Sequence, residues 1–342
     1  MLENISSNQI KTDTKISNSF KNASFKNFSI SCNIYKGDYF LDSFNYFPIT
    51  EDYKTFSNLF MRDQNLSYEH FFTDKFFISF KENIENYKNF NDVFLLGSSA
   101  ANNYYSNLIQ FLPRIFFNNN NNKIIIHRNS SNKFRKFIEI ILKDLKINSS
   151  FLFLDDNFYK FTNSEIPQFF NLNNSIKILR NFLMPKVGNA KDKKIYVTRE
   201  DSSYRKIINE SDLIAILRSN GYKVINPQLY EIHEQIKLFA EADKIISPYG
   251  SNLANIAFCK EGAKIYEIGP RFDNVYEKIF EQRYTSIANI NKLDYQRVVS
   301  DTVDVEKHDK TAKKYINKKI LENSNYYKNL IVKISDIEKI LD

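Results

Sequence analysis

The sequence predicts a two-domain α/β protein, and three observations predict it. Between Lys194 and Pro270, four short β-type runs alternate with three helical patterns. Residues 93–154 show the same order of elements. At 342 residues the chain has room for about two domains. Alternation of this kind calls for a parallel sheet with crossover helices, and two such units facing a cleft make a two-Rossmann-like architecture.

Residues 1–25 are polar, lack an apolar signal core and read as a flexible N-terminus. Residues 26–90 are aromatic-rich and mix strand-like and helix-like pieces whose order the pattern does not fix. The first domain is placed over 26–185. Within it Val93–Leu96 reads as a strand, and Tyr104–Phe117 as a helix with Leu108, Phe111, Leu112 and Ile115 at helical spacing. Lys123–His127 is a second strand and Phe151–Leu154 a third. Between them, Lys133–Leu145 carries Phe134, Phe137, Ile138, Ile141 and Leu142 on one face. Residues 171–193 have weaker periodicity, with Gly188, and read as the inter-domain connection.

The second domain is placed over 190–300. Its strands are Ile195–Thr198, Lys223–Asn226, Lys244–Ser247 and Lys264–Ile268. Ser211–Arg218 and Asn252–Phe258 read as two of its helices. Residues 301–342 form a C-terminal helical tail. Ala312, Tyr315, Ile316 and Ile320 make one stripe among six lysines, which suits packing on the body, with contact to an anionic membrane as the sharper alternative.

Composition narrows the function. Hydrophobic residues are 42% and charged residues 26%, which is globular rather than disordered. The net charge of +8 admits nucleic acid, an anionic membrane surface or an anionic small ligand. No recognisable nucleic-acid module interleaves basic and aromatic residues, so no nucleic-acid partner is expected. Two distant cysteines, Cys32 and Cys259, imply neither a disulfide framework nor a zinc site. No run reaches the roughly 20 apolar residues of a membrane span. A cytoplasmic protein, at most peripheral to the inner face of the membrane, is expected. The glycine-rich dinucleotide turn and the Walker loop are both missing, in a chain with 7 glycines. No His/Cys cluster or Asp-x-Asp triplet offers a metal site, and no cofactor is expected.

The polar residues fall where an α/β sheet binds ligands, beyond the carboxyl ends of its strands. Arg199, Glu200, Arg205, Asn209 and Glu210 follow the first strand of the second domain. Tyr249, Gly250, Ser251 and Asn255 follow the third, and Glu267 closes the fourth. Arginine suits diphosphate because its planar fork binds two oxygens and stays charged. Gly250 before a helix admits close backbone approach to an anion. A carboxylate at Glu267 can accept from a ribose diol, pair with Arg271 or contact a helix N-cap.

In order, Arg199, Arg205, Asn209-Glu210, Glu234-Gln235, Ala242-Asp243, Gly250 with Asn255, and Glu267-Ile268-x-Pro270 make a specific pattern. It resembles glycosyltransferase family 61, which includes plant xylosyltransferases, animal O-GlcNAc transferases and bacterial polysaccharide enzymes. Asn103-Tyr104-Tyr105 and Leu112-Pro113-Arg114 resemble the family's upstream motif more weakly. The resemblance implies a GT-B type fold and inverting, metal-independent transfer from a nucleotide-sugar donor to a glycan or lipid-linked glycan acceptor, in surface polysaccharide synthesis. The first domain then takes the acceptor and the second the donor. Donor-binding roles fall on Arg199, Arg205, Asn209, Glu210, Tyr249, Gly250, Ser251, Asn255 and Glu267, with Glu234, Gln235 and Ser106 in support.

Two positions depart from the family pattern: Tyr249 and Ser106 stand where histidine is frequent. A phenol is no base near neutral pH, so the base is expected elsewhere in the first domain. Asp155 and His127 both end strands there, with Asp155 preferred as base and His127 as acceptor contact. Glu210 is expected to orient Arg205 or cap its own helix. The alternatives are a catalytically weak sugar-nucleotide-binding protein of the same fold and a GT-B transferase of another family.

Overall fold

The computed structural model describes residues 11–12, 19–25, 28–42, 48–50, 54–55, 82, 86–97, 103–118, 123–155, 158–186, 193–273, 275–304 and 324–341. The chain divides into two compact units, Met1–Asn181 and Phe182–Asp342. Each is a mixed α/β unit.

The first unit holds strands β1 (Lys11–Thr12), β2 (Ser19–Phe25), β3 (Phe28–Asp42), β4 (Pro48–Ile49), β5 (Lys54–Thr55), β6 (Lys88–Asn91), β7 (Val93–Leu95), β8 (Lys123–His127), β9 (Ser150–Leu154) and β10 (Phe158–Pro167). The main sheet runs β2-β3-β10-β7-β8-β9. From β10 to β9 the pairing is parallel, while β3 runs antiparallel to both β2 and β10. The aromatic-rich stretch that sequence left unordered thus supplies an antiparallel flank. Residues 19–25, expected as flexible, pair along their length with β3 from Phe28 to Ile34.

Helix α1 (Asn132–Asp144) buries the five apolar residues its spacing predicted, and Ser131 caps it by accepting from Phe134 N–H at 3.2 Å. The segment expected as one helix over 104–117 is instead a π turn at Ser106–Phe111 running into a 3-10 helix at Leu112–Phe117. Pro113 explains the break: it has no N–H for the α ladder, and its ring crowds the preceding turn. Leu108, Phe111, Leu112 and Ile115 are nevertheless all buried. The expected connection at 171–193 contains helix α2 (Leu172–Leu183), which buries Ile176, Ile178 and Leu179. Asn173, Asn174 and Asn181 dilute its apolar stripe and hide its period in the sequence.

The second unit holds β11 (Lys194–Val197), α3 (Glu210–Ser219), β12 (Tyr222–Ile225), α4 (Ile232–Glu241), β13 (Lys244–Pro248), β14 (Lys264–Pro270), α5 (Val275–Ile290), β15 (Asp294–Val303), β16 (Asn329–Ile331) and α6 (Ile334–Leu341). A 3-10 helix at Ser251–Phe258 stands where sequence expected an ordinary helix. The sheet order is β12-β11-β13-β14-β15-β16, parallel except for β16. The chain therefore leaves β11 toward one side and returns at β13 on the other. The carboxyl ends of β11 and β13 flank a topological switch point, where sheets of this order open a ligand crevice.

The C-terminal segment is more than a tail on the surface. β16 extends the sheet, and Leu330, Val332, Ile337, Ile340 and Leu341 join Tyr196, Leu213 and Leu217 in one core. The lysine-flanked stripe from Ala312 to Ile320 lies outside the described residues.

Candidate donor site at the switch point of the second unit

Four predicted residues meet at the β11/β13 switch point. Arg199 leaves the end of β11, and its guanidinium lies directly over Gly250, just past β13. A Cβ on Gly250 would collide with Arg199 Nη1 and sit 3.1 Å from its Cζ. Glycine at this position is a matter of space; its backbone is extended, at φ 177°. Arg199 Nη2 donates to Tyr204 O at 3.5 Å, and its buried Nε has no partner.

Arg205 is buried and sits in the left-handed region at φ 57°. Such a conformation is costly for a residue with a Cβ and persists where the surroundings enforce it. Three aromatic rings surround its guanidinium. The Arg205 Cζ lies 4.8 Å from the Tyr204 ring, 5.1 Å from Tyr249 and 4.5 Å from Tyr326. Its Nε is also buried without a partner. Tyr249 is 1% exposed, edge-on to Phe272 and Tyr284, and its buried hydroxyl is unpartnered too.

The charge balance is unusual. Among the described residues no carboxylate pairs with Arg199 or Arg205. Burial, and then repulsion from Arg205, bring Arg199 down to about 10, which still leaves it charged near neutral pH. Burial also opposes the Arg205 charge, but Tyr326, Tyr204 and Tyr249 outweigh it and raise that pKa. A buried arginine beside a half-buried one, each with an orphaned buried Nε, is expensive unless an anion completes the pair. Ser251, half-buried, opens the 3-10 helix beside them and adds backbone amides to the same edge.

The other predicted donor residues have internal partners. Glu267 is fully buried: Arg297 Nε donates to Oε1 at 2.7 Å and the Tyr295 hydroxyl donates to Oε2. Burial raises its pKa against the pull of Arg297 and Tyr295. Each oxygen thus has a donor inside the protein, and the ion-pair partner is Arg297 rather than Arg271. Glu210 accepts from the Tyr196 hydroxyl at 2.6 Å instead of orienting Arg205. Asn209 is a two-way clip: its Nδ2 donates to Val332 O at 2.8 Å and its Oδ1 accepts from Val332 N–H at 3.0 Å. Asn255 is buried and donates to Asn252 O at 3.1 Å and to Gln235 Oε1 at 3.5 Å. Gln235 in turn donates to Pro227 O at 2.9 Å and Tyr230 O at 3.2 Å, holding the loop after β12. Glu234 accepts from Glu231 N–H at 2.8 Å and closes the capping box of α4. Each of these side chains has a hydrogen-bond partner within the second unit.

In the first unit, His127 pairs in register with Leu154, so His127 and Asp155 stand at the same sheet edge. The Asp155 carboxylate is 46% exposed, salt-bridged to Lys88 Nζ at 2.7 Å, and accepts from the Tyr159 hydroxyl. This half-exposed, ion-paired setting does not desolvate the carboxylate. His127 Nδ1 accepts from Asn129 N–H at 3.0 Å, so its neutral ring carries the proton on Nε2 and presents a donor. Ser106 is buried, its N–H bound to Asn103 Oδ1 at 3.0 Å. Arg114 of the weaker motif is fully buried and donates to Leu96 O at 2.7 Å and to Pro167 O, also at 2.7 Å. It ties the end of β7 to the end of β10.

Sequence reasoning missed Tyr284 of α5 and Tyr326, which bear on both arginines, and Arg283 of α5, which bears on Tyr326. The Tyr326-Tyr327 doublet behind a capping serine was the available signal. Among the described residues no group of three or more metal-ligating side chains occurs, and no helix is long and apolar enough to cross a membrane.

A family model described as Glycosyltransferase 61 matches residues 68–266. No curated protein matches the chain. The match covers more than half of the sequence and includes Arg199, Arg205, Tyr249 and Gly250, while Arg283 and Tyr326 lie beyond it.

Proposed function

The chain belongs to glycosyltransferase family 61, and we propose that it moves a sugar, with inversion, from a nucleotide-sugar donor to a glycan or lipid-linked glycan, in a GT-B type arrangement. The observation that carries this reading is the pair Arg199 and Arg205 at the β11/β13 switch point, which no carboxylate partners among the described residues. A nucleoside diphosphate supplies the missing negative charge, and its oxygens match the forked donors of the two guanidinium groups.

In the transfer, an acceptor oxygen forms a bond to the anomeric carbon as the bond from that carbon to the diphosphate oxygen breaks. The electron pair leaves with the diphosphate. Arg199 and Arg205 stabilise that charge, in a setting where burial strengthens their effect. The two arginines do the work that a divalent ion does elsewhere, so turnover is metal-independent in this reading. The acceptor proton passes to a base of the first unit. Asp155 remains the candidate because it is an acceptor at the sheet edge, and His127, presenting Nε2–H, suits contact with an acceptor oxygen. The proposed setting is surface polysaccharide synthesis on the cytoplasmic side.

Thermal shift against a panel of nucleotide sugars tests the proposal. A cognate donor at 100 times its dissociation constant adds about 2.7 kcal/mol of stability. A panel of UDP-, GDP-, CDP- and dTDP-sugars that leaves the melting temperature unmoved contradicts it.

A further inference from the structure

Residues 324–332 lie beyond the stretch shared with the family, yet they are bound to the loop that carries both arginines. Lys206 N–H donates to Asn329 Oδ1 at 3.0 Å. Leu330 N–H donates to Lys206 O, and Ile208 N–H to Leu330 O, each at 2.8 Å. The Asn209 clip to Val332 completes the seam. At the start of the segment, Ser324 accepts from Tyr326 N–H at 3.1 Å and donates to Glu277, while Asn325 donates to Arg271 O at 3.1 Å.

This anchoring fixes the Tyr326 ring against Arg205, with Phe280 4.4 Å and Tyr327 4.8 Å away on its other sides. Charged groups reach it from two elements. Arg199 and Arg205 come from the loop after β11, and Arg283 comes from α5. Tyr249 and Tyr284 also face the cluster, but burial holds both phenols above their ordinary range, so they stay neutral. The carboxylates that anchor this segment have other partners: Glu277 accepts from Ser324 and from Asp273 N–H, and Asp273 from Asn325.

We propose that Tyr326 is a positioning residue of the donor site, which holds Arg205 through its hydroxyl in the donor-free protein and yields the arginines to an incoming diphosphate. The proposal rests on the reading of this cluster as the diphosphate site. Burial alone would raise the Tyr326 phenol, but Arg205, Arg283 and Arg199 outweigh it and lower it. Above that lowered pKa the phenolate is an internal counter-charge of the cluster. When diphosphate takes that place, the phenolate faces an anion and gains one proton from solvent. Binding and this protonation are linked reciprocally.

Diphosphate affinity therefore falls as pH rises through the Tyr326 titration, by up to about tenfold per pH unit for one linked proton. The chain contains no tryptophan, so tyrosinate absorbance near 295 nm is read on a clear background. In alkaline titration of the wild type, one tyrosine ionises below the ordinary value of about 10. Inorganic pyrophosphate moves that titration upward, and Tyr326→Phe abolishes it. In parallel calorimetry, the pyrophosphate affinity of Tyr326→Phe is flat over the range where the wild type declines. The wild-type titration with and without pyrophosphate needs no variant, so misfolding of Tyr326→Phe leaves the test intact. A titration that persists in folded Tyr326→Phe, or pyrophosphate that binds without moving it, overturns the proposal. An early tyrosine lost in Tyr326→Phe, in a protein that does not bind pyrophosphate, supports the counter-charge and overturns the donor-site reading instead.

Discussion

Gly250→Ala separates the donor site from the fold more cleanly than removal of either arginine. The backbone at Gly250 is extended, at φ 177° and ψ 165°, so alanine adopts it without strain. The nearest atoms to the added methyl all belong to Arg199, with Nη1 in collision and Cζ at 3.1 Å. The far end of that side chain must swing away. An off-rotamer adjustment costs about 0.5–1.5 kcal/mol, so folding stability falls by about that much at most. A bound diphosphate, in contrast, loses the charge-assisted hydrogen bonds of a displaced guanidinium, worth about 1.5–3 kcal/mol. That corresponds to roughly 10- to 150-fold in dissociation constant. The assay is calorimetric titration of nucleoside diphosphate into wild type, Gly250→Ala, Arg199→Ala and the double variant. Because the methyl acts only through Arg199, Gly250→Ala adds nothing in the Arg199→Ala background. Wild-type affinity in Gly250→Ala, or an equal loss in both backgrounds, rules out an effect carried by Arg199.

Donor turnover persists after dialysis against EDTA, since the arginines carry the leaving-group charge; complete loss, restored by manganese or magnesium, contradicts this. Asp155→Asn lowers kcat far more than it raises donor KM, whereas His127→Ala acts mainly on acceptor KM; a wild-type kcat in Asp155→Asn rules Asp155 out as base. Asn209→Ala removes two hydrogen bonds to Val332 and costs about 1–3 kcal/mol in chemical denaturation, through loss of the C-terminal segment's anchor rather than of a ligand contact; an unchanged midpoint argues against that anchor.

The second unit was the more legible. Its strands β11, β13 and β14 are apolar runs buried along nearly their whole length, and the runs starting at Lys244 and Lys264 begin where the sequence placed them. The first unit was harder for physical reasons. Pro113 broke a helix whose apolar spacing was intact, and asparagines diluted the stripe of α2. At the candidate site, spacing identified Arg199, Arg205, Tyr249 and Gly250, because the end of a strand closely constrains the position of the next few residues. It did not distinguish ligand-facing polar residues from bracing ones. That distinction depends on partners distant in the chain: Arg297 for Glu267, Val332 for Asn209 and Tyr196 for Glu210. Tyr326 was hidden for the same reason, since its place on Arg205 is set by hydrogen bonds between segments far apart in sequence.

Calorimetric titration of UDP, GDP and CDP into wild type, Arg199→Ala and Arg205→Ala tests most directly whether the arginine pair at the β11/β13 switch point is the diphosphate site. If it is, at least one nucleotide binds the wild type, each alanine variant stays folded, and each loses about 1.5–3 kcal/mol of binding, with lysine at either position restoring only part. Affinities for all three nucleotides that are the same in wild type and both alanine variants show that the diphosphate site lies elsewhere.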